Sequence, residues 1–407
     1  MTNKTTDIIV FTGGGTGGHI YPNLALIPEF EKRGFKAVYI GGDGKTMERR
    51  LARENAVKYY GIPVIKLVRS LSPSAISHNI KIPFTLKRSI DEARKLLEKI
   101  KPCAVISKGG FVSLPVVIAA SKLNIPTFAH ESDLTLGLAN KLAMHYGATM
   151  LKANPKAEFK GITVGMPLRD SLFSSTKTQA KSKLGISTSK KVLLILGGSS
   201  GAQFLNEEVK KHIDELTKKY FVLHVCGRGA FNNDRTNVTN TNDNRAVSCK
   251  NTSTNDNAPN DNSDSGTFKS KRTEGAYLSF EYADNIADFY AASDVVVSRA
   301  GATAVYEISA LKKRAVFVPL PKGVSRGDQI FNAQLAEEYG AFTLCQNERF
   351  SDNFLSAIEK ALQNPPMRAL SSDANGKIAD IVCDSIGRGE KCRNKKLSPN
   401  GSQLSYS

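Results

Sequence analysis

Gly13-Gly14-Gly15-Thr16-Gly17-Gly18-His19 is the stretch that decides how this chain is read. It follows Asp7-Ile8-Ile9-Val10-Phe11-Thr12, an apolar run with the character of a short buried strand. It precedes residues 22–30, which read as a helix with Pro22 in its first turn. Strand, glycine loop and helix N-terminus together form an anion site: glycines let backbone N–H groups approach a phosphate, and the helix dipole favours negative charge there. So many glycines cost more backbone entropy than a plain turn requires. His19 adds one titratable side chain at the mouth of the site. Gly13, Gly15 and Gly18 also fit the dinucleotide pattern G-x-G-x-x-G. An NAD site would want an acidic residue ending the second strand, whereas Gly41-Gly42 follow residues 37–40 and Asp43 comes late.

Composition narrows the partners. A length of 407 residues accommodates two domains with substantial cores. The net charge of +18 predicts attraction to phosphates, carried by nucleic acid, an anionic membrane or a phosphorylated substrate. Basic residues are not interleaved with aromatics as in a single-strand groove, so no nucleic-acid partner is expected. Cys103, Cys226, Cys249, Cys345, Cys383 and Cys392 are scattered without a C-x-x-C and read as reduced thiols of a cytosolic protein. Residues 1–6 are polar, and no apolar run has the length of a signal peptide or a membrane span.

Strand-like and helix-like stretches alternate, which predicts an α/β fold with parallel sheets. In the first half the strands are expected at 7–12, 37–40, 63–68, 103–107, 126–130 and 148–151. Helices are expected at 22–33, 46–55, 86–100, 113–123 and 137–146. A second cycle opens with Lys191-Val192-Leu193-Leu194-Ile195-Leu196, then Gly197-Gly198-Ser199-Ser200-Gly201-Ala202 and a helical stretch to Lys219. Two such units predict two Rossmann-like domains, 1–165 and 166–383, with the last helix able to return to the first domain and a linker near 165–182. Residues 231–275, rich in Asn, Asp, Ser and Thr, read as a disordered insertion, and 384–407 as a disordered basic tail. Ser113 and Asp328 are expected to cap helices, and His130 is as much a structural as a functional candidate.

Six motifs in order resemble one family, the MurG peptidoglycan GlcNAc transferases of glycosyltransferase family 28. They are 13–19; His130-Glu131-Ser132-Asp133; Gly165-Met166-Pro167-Leu168-Arg169; 197–202; Ser298-Arg299-Ala300-Gly301-Ala302 through Glu307; and Ser325-Arg326-Gly327-Asp328-Gln329-Ile330-Phe331-Asn332-Ala333. The resemblance spans about 7–365 outside the insertion. It implies a GT-B fold, two Rossmann-like domains with parallel sheets facing across a cleft. It also implies inverting transfer of GlcNAc from UDP-GlcNAc to the MurNAc C4 hydroxyl of undecaprenyl-diphosphate-MurNAc-pentapeptide (lipid I). The implied donor site comprises Thr16, Gly17, Gly18, Asp133, Arg169, Ser199, Ala283, Ala302, Thr303, Ala304, Val305, Tyr306, Glu307 and Gln329. Of these, Ser199 meets the diphosphate, Ala283 the uracil through its backbone, Glu307 the ribose and Gln329 the GlcNAc hydroxyls. Asp133 stands where many members carry Asn, so it can accept but not donate when ionised. Lys108, Gly109 and Gly110 are implied acceptor-diphosphate contacts.

An inverting transfer needs a base, charge stabilisation on departing UDP and two sugars held in line. His19 is the candidate base, with Asp133 or Glu131 as alternatives. No D-x-D occurs outside 231–275, so neither a metal nor another cofactor is expected. Two other functions fit the same fold: a nucleotide-sugar epimerase, and a non-catalytic sugar-nucleotide or membrane-binding protein. Residues 66–88 supply Lys66, Arg69, Lys81, Lys87 and Arg88 with Leu71, Ile76, Ile80, Ile82, Phe84 and Leu86, and no acidic residue. They predict peripheral docking of the first domain on an anionic surface, at the cytoplasmic face of the plasma membrane. Pro73 and Pro83 suggest a loop there, followed by the start of the 86–100 helix.

Overall fold

The computed structural model describes residues 7–65, 72–197, 203–227, 270–273, 275–283, 285–322, 327–371 and 373–389. Seven strands build a first sheet: β1 (Ile8–Thr12), β2 (Lys36–Gly42), β3 (Lys58–Ile62), β4 (Ala104–Ser107), β5 (Thr127–Glu131), β6 (Thr149–Lys152) and β7 (Ile162–Thr163). A second has β8 (Lys191–Leu196), β9 (Tyr220–Val225), β10 (Ser270–Thr273), β11 (Tyr277–Phe280), β12 (Val295–Ser298), β13 (Arg314–Phe317) and β14 (Phe342–Thr343). The helices are α1 (Tyr21–Lys32), α2 (Met47–Glu54), α3 (Pro73–Ile80), α4 (Ile82–Ile100), α5 (Leu114–Lys122), α6 (Leu138–His145) and α7 (Lys177–Lys183). They continue with α8 (Gln203–Lys211), α9 (Ile213–Lys219), α10 (Ile286–Ala292), α11 (Ala302–Ala310), α12 (Asp328–Glu338), α13 (Phe350–Gln363) and α14 (Ala374–Ser385).

The first sheet runs β3-β2-β1-β4-β5-β6-β7 and is parallel throughout. The second runs β10-β11-β9-β8-β12-β13-β14 and is parallel except for the antiparallel β10–β11 pair. Both are Rossmann-like. The reason lies in strands buried on both faces. In β1, Ile9 and Phe11 enter one core with Leu24, Leu26 and Phe30 of α1, while Val10 enters the opposite core with Ala93 and Leu97 of α4. Each such large apolar side chain, fully buried, contributes about 1.5–3 kcal/mol.

The chain divides into two compact units. One draws on the described residues of Met1–Leu172, Val305–Ala310 and Ala369–Ser407; the other on Phe173–Ala304 and Leu311–Arg368. In the first, α14 lies on α1: Ile378, Ala379, Val382 and Cys383 share the core of Ile9 and Phe11. Buried Arg33 donates to Asp380 Oδ1 at 2.6 Å, and Asn375 Nδ2 donates to the carbonyls of Ala25 and Leu168.

Several local expectations change. The third strand lies at 58–62, not 63–68: Pro63 has no N–H for the ladder, and residues 66–68 lie outside the described residues. The expected loop before residue 86 is helical. Pro73 opens α3 and Pro83 sits in the first turn of α4, where a missing N–H is tolerated. The helical stretch after 202 breaks at His212 into α8 and α9. Ser270–Thr273, within the segment expected to be a disordered insertion, is an edge strand, and the described part of 384–389 continues from α14. Among the described residues no helix is long and apolar enough to cross a membrane.

Candidate active site

In each sheet strand order reverses at one point, and ligands of open α/β sheets bind beyond the carboxyl ends of the strands there. In the first unit the reversal lies between β1 and β4. The loop after β1 is the stretch 13–19; the loop after β4 begins Lys108-Gly109-Gly110. They pack so closely that a Cβ on Gly110 would lie 2.5 Å from the Gly14 carbonyl oxygen and 3.1 Å from His19 Nδ1. Gly109 and Gly110 also hold φ of +89° and +83°, a region that glycine alone enters without strain. Thr16 precedes a single 3₁₀ turn, Gly17–His19, which leads into α1.

That turn fixes His19. Its half-buried ring places Nδ1 3.2 Å from the Gly14 carbonyl and 3.2 Å from Thr16 Oγ1. A carbonyl can only accept, so Nδ1 carries the proton toward Gly14 and the lone pair of the neutral ring sits on Nε2. Beneath the loop, Glu48 of α2 is 2% exposed, with its carboxyl group packed against Gly14 and accepting from the Gly42 N–H at 3.3 Å.

The turn after β5 is wrapped around a charge. Glu131 accepts N–H bonds from Ser132 (2.9 Å), Asp133 (3.2 Å) and Gly137 (3.0 Å), and one from Asn140 Nδ2 (3.0 Å). Burial alone would raise its pKa, but Lys108 and these donors outweigh it and hold the carboxyl below its ordinary value. So bound, Glu131 organises the turn. Lys108 is buried, with Nζ 2.5 Å from Ser132 Oγ. Burial lowers its pKa against the pull of Glu131 and Asp133. Asp133 is half-buried beside them. His130 resolves as structural: Nε2 meets the Gly165 carbonyl at 2.8 Å, and burial together with Lys108 pushes its pKa down to about 3. Ser113 occupies the N-cap position of α5, yet its hydroxyl donates to Gly110 rather than capping the helix.

Two further implied donor residues meet in the first unit. Arg169 lies 4.2 Å over the ring of Tyr21, and its Nη2 is 3.6 Å from Glu307 Oε1. Arg169 Nε is buried without a hydrogen-bond partner, and Glu307 is 7% exposed. Val305 and Tyr306 are buried in α11, whereas Ala302, Thr303 and Ala304 keep partial exposure at its start.

The second sheet reverses between β8 and β12. Ser199, in the loop after β8, lies outside the described residues. Ala283 is buried just after β11. Gln329 Oε1 accepts from the Leu320 N–H at 3.1 Å, which fixes the amide on α12. Asp328 is the first residue of α12, not its cap; Gly327, with φ of +86°, holds that position. Sequence reasoning assigned no role to Arg299. It is 9% exposed after β12, donates to the Val318 carbonyl at 3.1 Å and has no carboxylate partner among the described residues. Its only signal was its place in the Ser298–Ala302 motif.

On the expected membrane face, Phe84 is 78% and Ile80 64% exposed, beside exposed Lys81, Lys87 and Arg88. Ile82 and Leu86 are half-buried, since helix formation turns them toward the protein. Lys66, Arg69 and Leu71 lie outside the described residues, as does the side chain of Ile76.

Two Rossmann-like units, each with a glycine-bearing loop at its strand-order reversal, make up a fold of the GT-B class. The chain matches the glycosyltransferase family 28 N-terminal domain over residues 9–152 and the glycosyltransferase family 28 C-terminal domain over 192–382, and it belongs to that family. A Clostridium perfringens protein is 34% identical over 380 residues, covering 92% of this chain and 95% of its own. A Lachnospira eligens protein is 36% identical over 359 residues, covering 86% and 90%. Both are named UDP-N-acetylglucosamine–N-acetylmuramyl-(pentapeptide) pyrophosphoryl-undecaprenol N-acetylglucosamine transferase. The crystal structure of Acinetobacter baumannii MurG shares the fold, with a TM-score of 0.61 at 21% identity, covering 93% of this chain and 99% of that one.

Proposed function

We propose that this protein transfers GlcNAc from UDP-GlcNAc, with inversion, to the MurNAc C4 hydroxyl of undecaprenyl-diphosphate-MurNAc-pentapeptide, converting lipid I to lipid II for peptidoglycan. The observation that carries this is the agreement in name of relatives similar over nearly their whole length. The geometry supplies a means. With Nδ1–H held by the Gly14 carbonyl, His19 Nε2 takes the C4 hydroxyl proton as the hydroxyl attacks the anomeric carbon. In the second loop, partly exposed Gly110 offers backbone to the acceptor diphosphate, with Gly109 buried behind it. Thr16, Gly17, Gly18 and Asp133 bind sugar hydroxyls. Glu307 accepts from the ribose and Gln329 from its fixed amide orients the GlcNAc. Charge on departing UDP falls to Ser199, backbone N–H groups, the start of α11, Arg169 and Arg299.

The same reading places the protein peripherally on the cytoplasmic face of the plasma membrane, since the acceptor's polyprenyl tail stays in the bilayer. Ile80 and Phe84 enter the interface, and Lys81, Lys87 and Arg88 meet anionic headgroups at about 1 kcal/mol each. Incubation with UDP-GlcNAc, with and without a lipid I analogue, tests the function. A disaccharide formed only with acceptor supports it. An epimerised nucleotide sugar formed without acceptor would replace it with an epimerase, and binding without turnover with a non-catalytic role.

A further inference from the structure

The guanidinium of Arg169 is seated on a ring. Its Nε is buried and has no hydrogen-bond partner among the described residues. Its Nη2 stands 3.6 Å from Glu307 Oε1, a charge contact too long for a hydrogen bond. The ring of Tyr21 lies under it, with the centroid 4.2 Å from Arg169 Cζ, well within the reach of about 6 Å over which an aromatic face attracts a cation. All three residues belong to the first unit. We propose that Tyr21 is a positioning residue of the donor site: its ring face holds the Arg169 guanidinium beside Glu307, so that the cation meets the diphosphate of the nucleotide. This rests on the reading of Arg169 as a donor contact.

The surroundings make the ring the deciding contact. The backbone of Arg169 is pinned from both sides: the Leu168 carbonyl accepts from Asn375 Nδ2 at 2.9 Å, and the Arg169 carbonyl accepts from the Leu172 N–H at 3.0 Å. The adjacent carboxylate, Asp170, faces Lys32 at 3.8 Å. With the backbone fixed, the long side chain is what the ring places. Tyr21 is itself well held. It is the first residue of α1, it packs against the core that contains Ile9 and Phe11, and a Cβ on Gly17 would lie 3.1 Å from its Cε2. An aromatic face attracts the cation without occupying its N–H groups, which are left for phosphate oxygens in the plane of the guanidinium. Without the ring, the guanidinium would close on Glu307 as a hydrogen-bonded pair and take the oxygens that the ribose needs.

The same ring touches the glycine turn, and a double-mutant cycle of Tyr21→Leu and Arg169→Met, read as UDP affinity by calorimetry, separates the two roles. Tyr21→Leu should weaken UDP binding about tenfold. Tyr21→Phe keeps the ring face and should stay within about twofold of the wild type. In the Arg169→Met protein, Tyr21→Leu should cost nothing further. Equal losses with and without Arg169 would make Tyr21 a support of the glycine turn and overturn the proposal, as would a Tyr21→Phe protein as weak as Tyr21→Leu. A second measurement needs no variant. With UDP bound to the wild-type protein, the Arg169 δ-methylene protons should resonate upfield of the ordinary arginine position, as the ring current above an aromatic face requires; an ordinary position overturns the proposal, and so does a wild type that binds no UDP. A wild type that binds UDP but transfers no GlcNAc would instead defeat the functional reading, while calorimetry and NMR still decide the role of Tyr21.

Discussion

Replacing Gly110 by alanine should lower turnover far more than it weakens UDP-GlcNAc binding. The new methyl group would sit 2.5 Å from the Gly14 carbonyl oxygen and 3.1 Å from His19 Nδ1. Both neighbours belong to the turn that orients the ring: the first is backbone and the second is the His19 ring itself. The backbone at +83° adds about 1–2 kcal/mol for a residue bearing a Cβ. Overpacking adds about 1–3 kcal/mol. A total of about 2–5 kcal/mol exceeds what one 3.2 Å hydrogen bond to His19 can resist, so the two loops separate. Displacing a reacting group by about 1 Å can cost about 100-fold, which is the expected loss in kcat. Gly147 supplies the control. Its φ is +84° but nothing lies within 4 Å of its Cβ position, so Gly147→Ala should show the backbone term alone, about 1–2 kcal/mol, with kcat intact. Thermal unfolding, UDP-GlcNAc calorimetry and steady-state kinetics on both variants separate the terms. Wild-type kcat in a folded Gly110→Ala protein would refute the idea that this close approach positions His19.

His19→Ala should lower kcat by about 100-fold or more with little change in the UDP-GlcNAc dissociation constant; equal losses in both would make His19 only a loop anchor. Glu307→Ala should chiefly raise the KM for UDP-GlcNAc, because the ribose contact is present in ground and transition states alike, and an unchanged KM would remove Glu307 from the donor site. Replacing Ile80 and Phe84 with Ser, and Lys87 and Arg88 with Gln, should abolish sedimentation with anionic vesicles while a short-chain acceptor is still turned over. Persistent binding would move the membrane surface elsewhere. His130 has a folded pKa of about 3, below the unfolded value near 6.5, so its neutral form stabilises the protein above about pH 6.5 and that contribution is lost as pH falls toward 3. His130→Gln should therefore lose less thermal stability than the wild type between pH 6.5 and 5, and a parallel decline in both would contradict the burial argument.

Much of the fold was legible because parallel strands buried on both faces leave continuous apolar runs. β1, β8 and β12 each end in a glycine-bearing loop, and that punctuation fixes where a helix begins. α3 was hidden because Pro73 and Pro83 act as breakers in general but open helices when they fall in a first turn. β10 was hidden because Ser270-Lys271-Arg272-Thr273 has no apolar face; it is an edge strand defined by its partner β11. In the site, the glycine loops and His19 announce themselves locally. Glu131, Asn140, Glu48 and Arg299 do not. Each is a polar residue whose role is set by the donors, carbonyls or glycines around it, and only the folded chain puts those in place.

The placement of α14 also has a consequence for the order of events during synthesis. Ile378, Val382 and Asn375 complete a core begun by Ile9 and Leu24, some 350 residues earlier. A ribosome making this chain at about 5–20 residues per second therefore holds the first sheet without its closing helix while the entire second sheet is made. During that interval the apolar stripe of α1 that awaits α14 is open to chaperones or to premature association. A chain stopped before residue 374 would leave its earliest-made half unfinished rather than simply shorter.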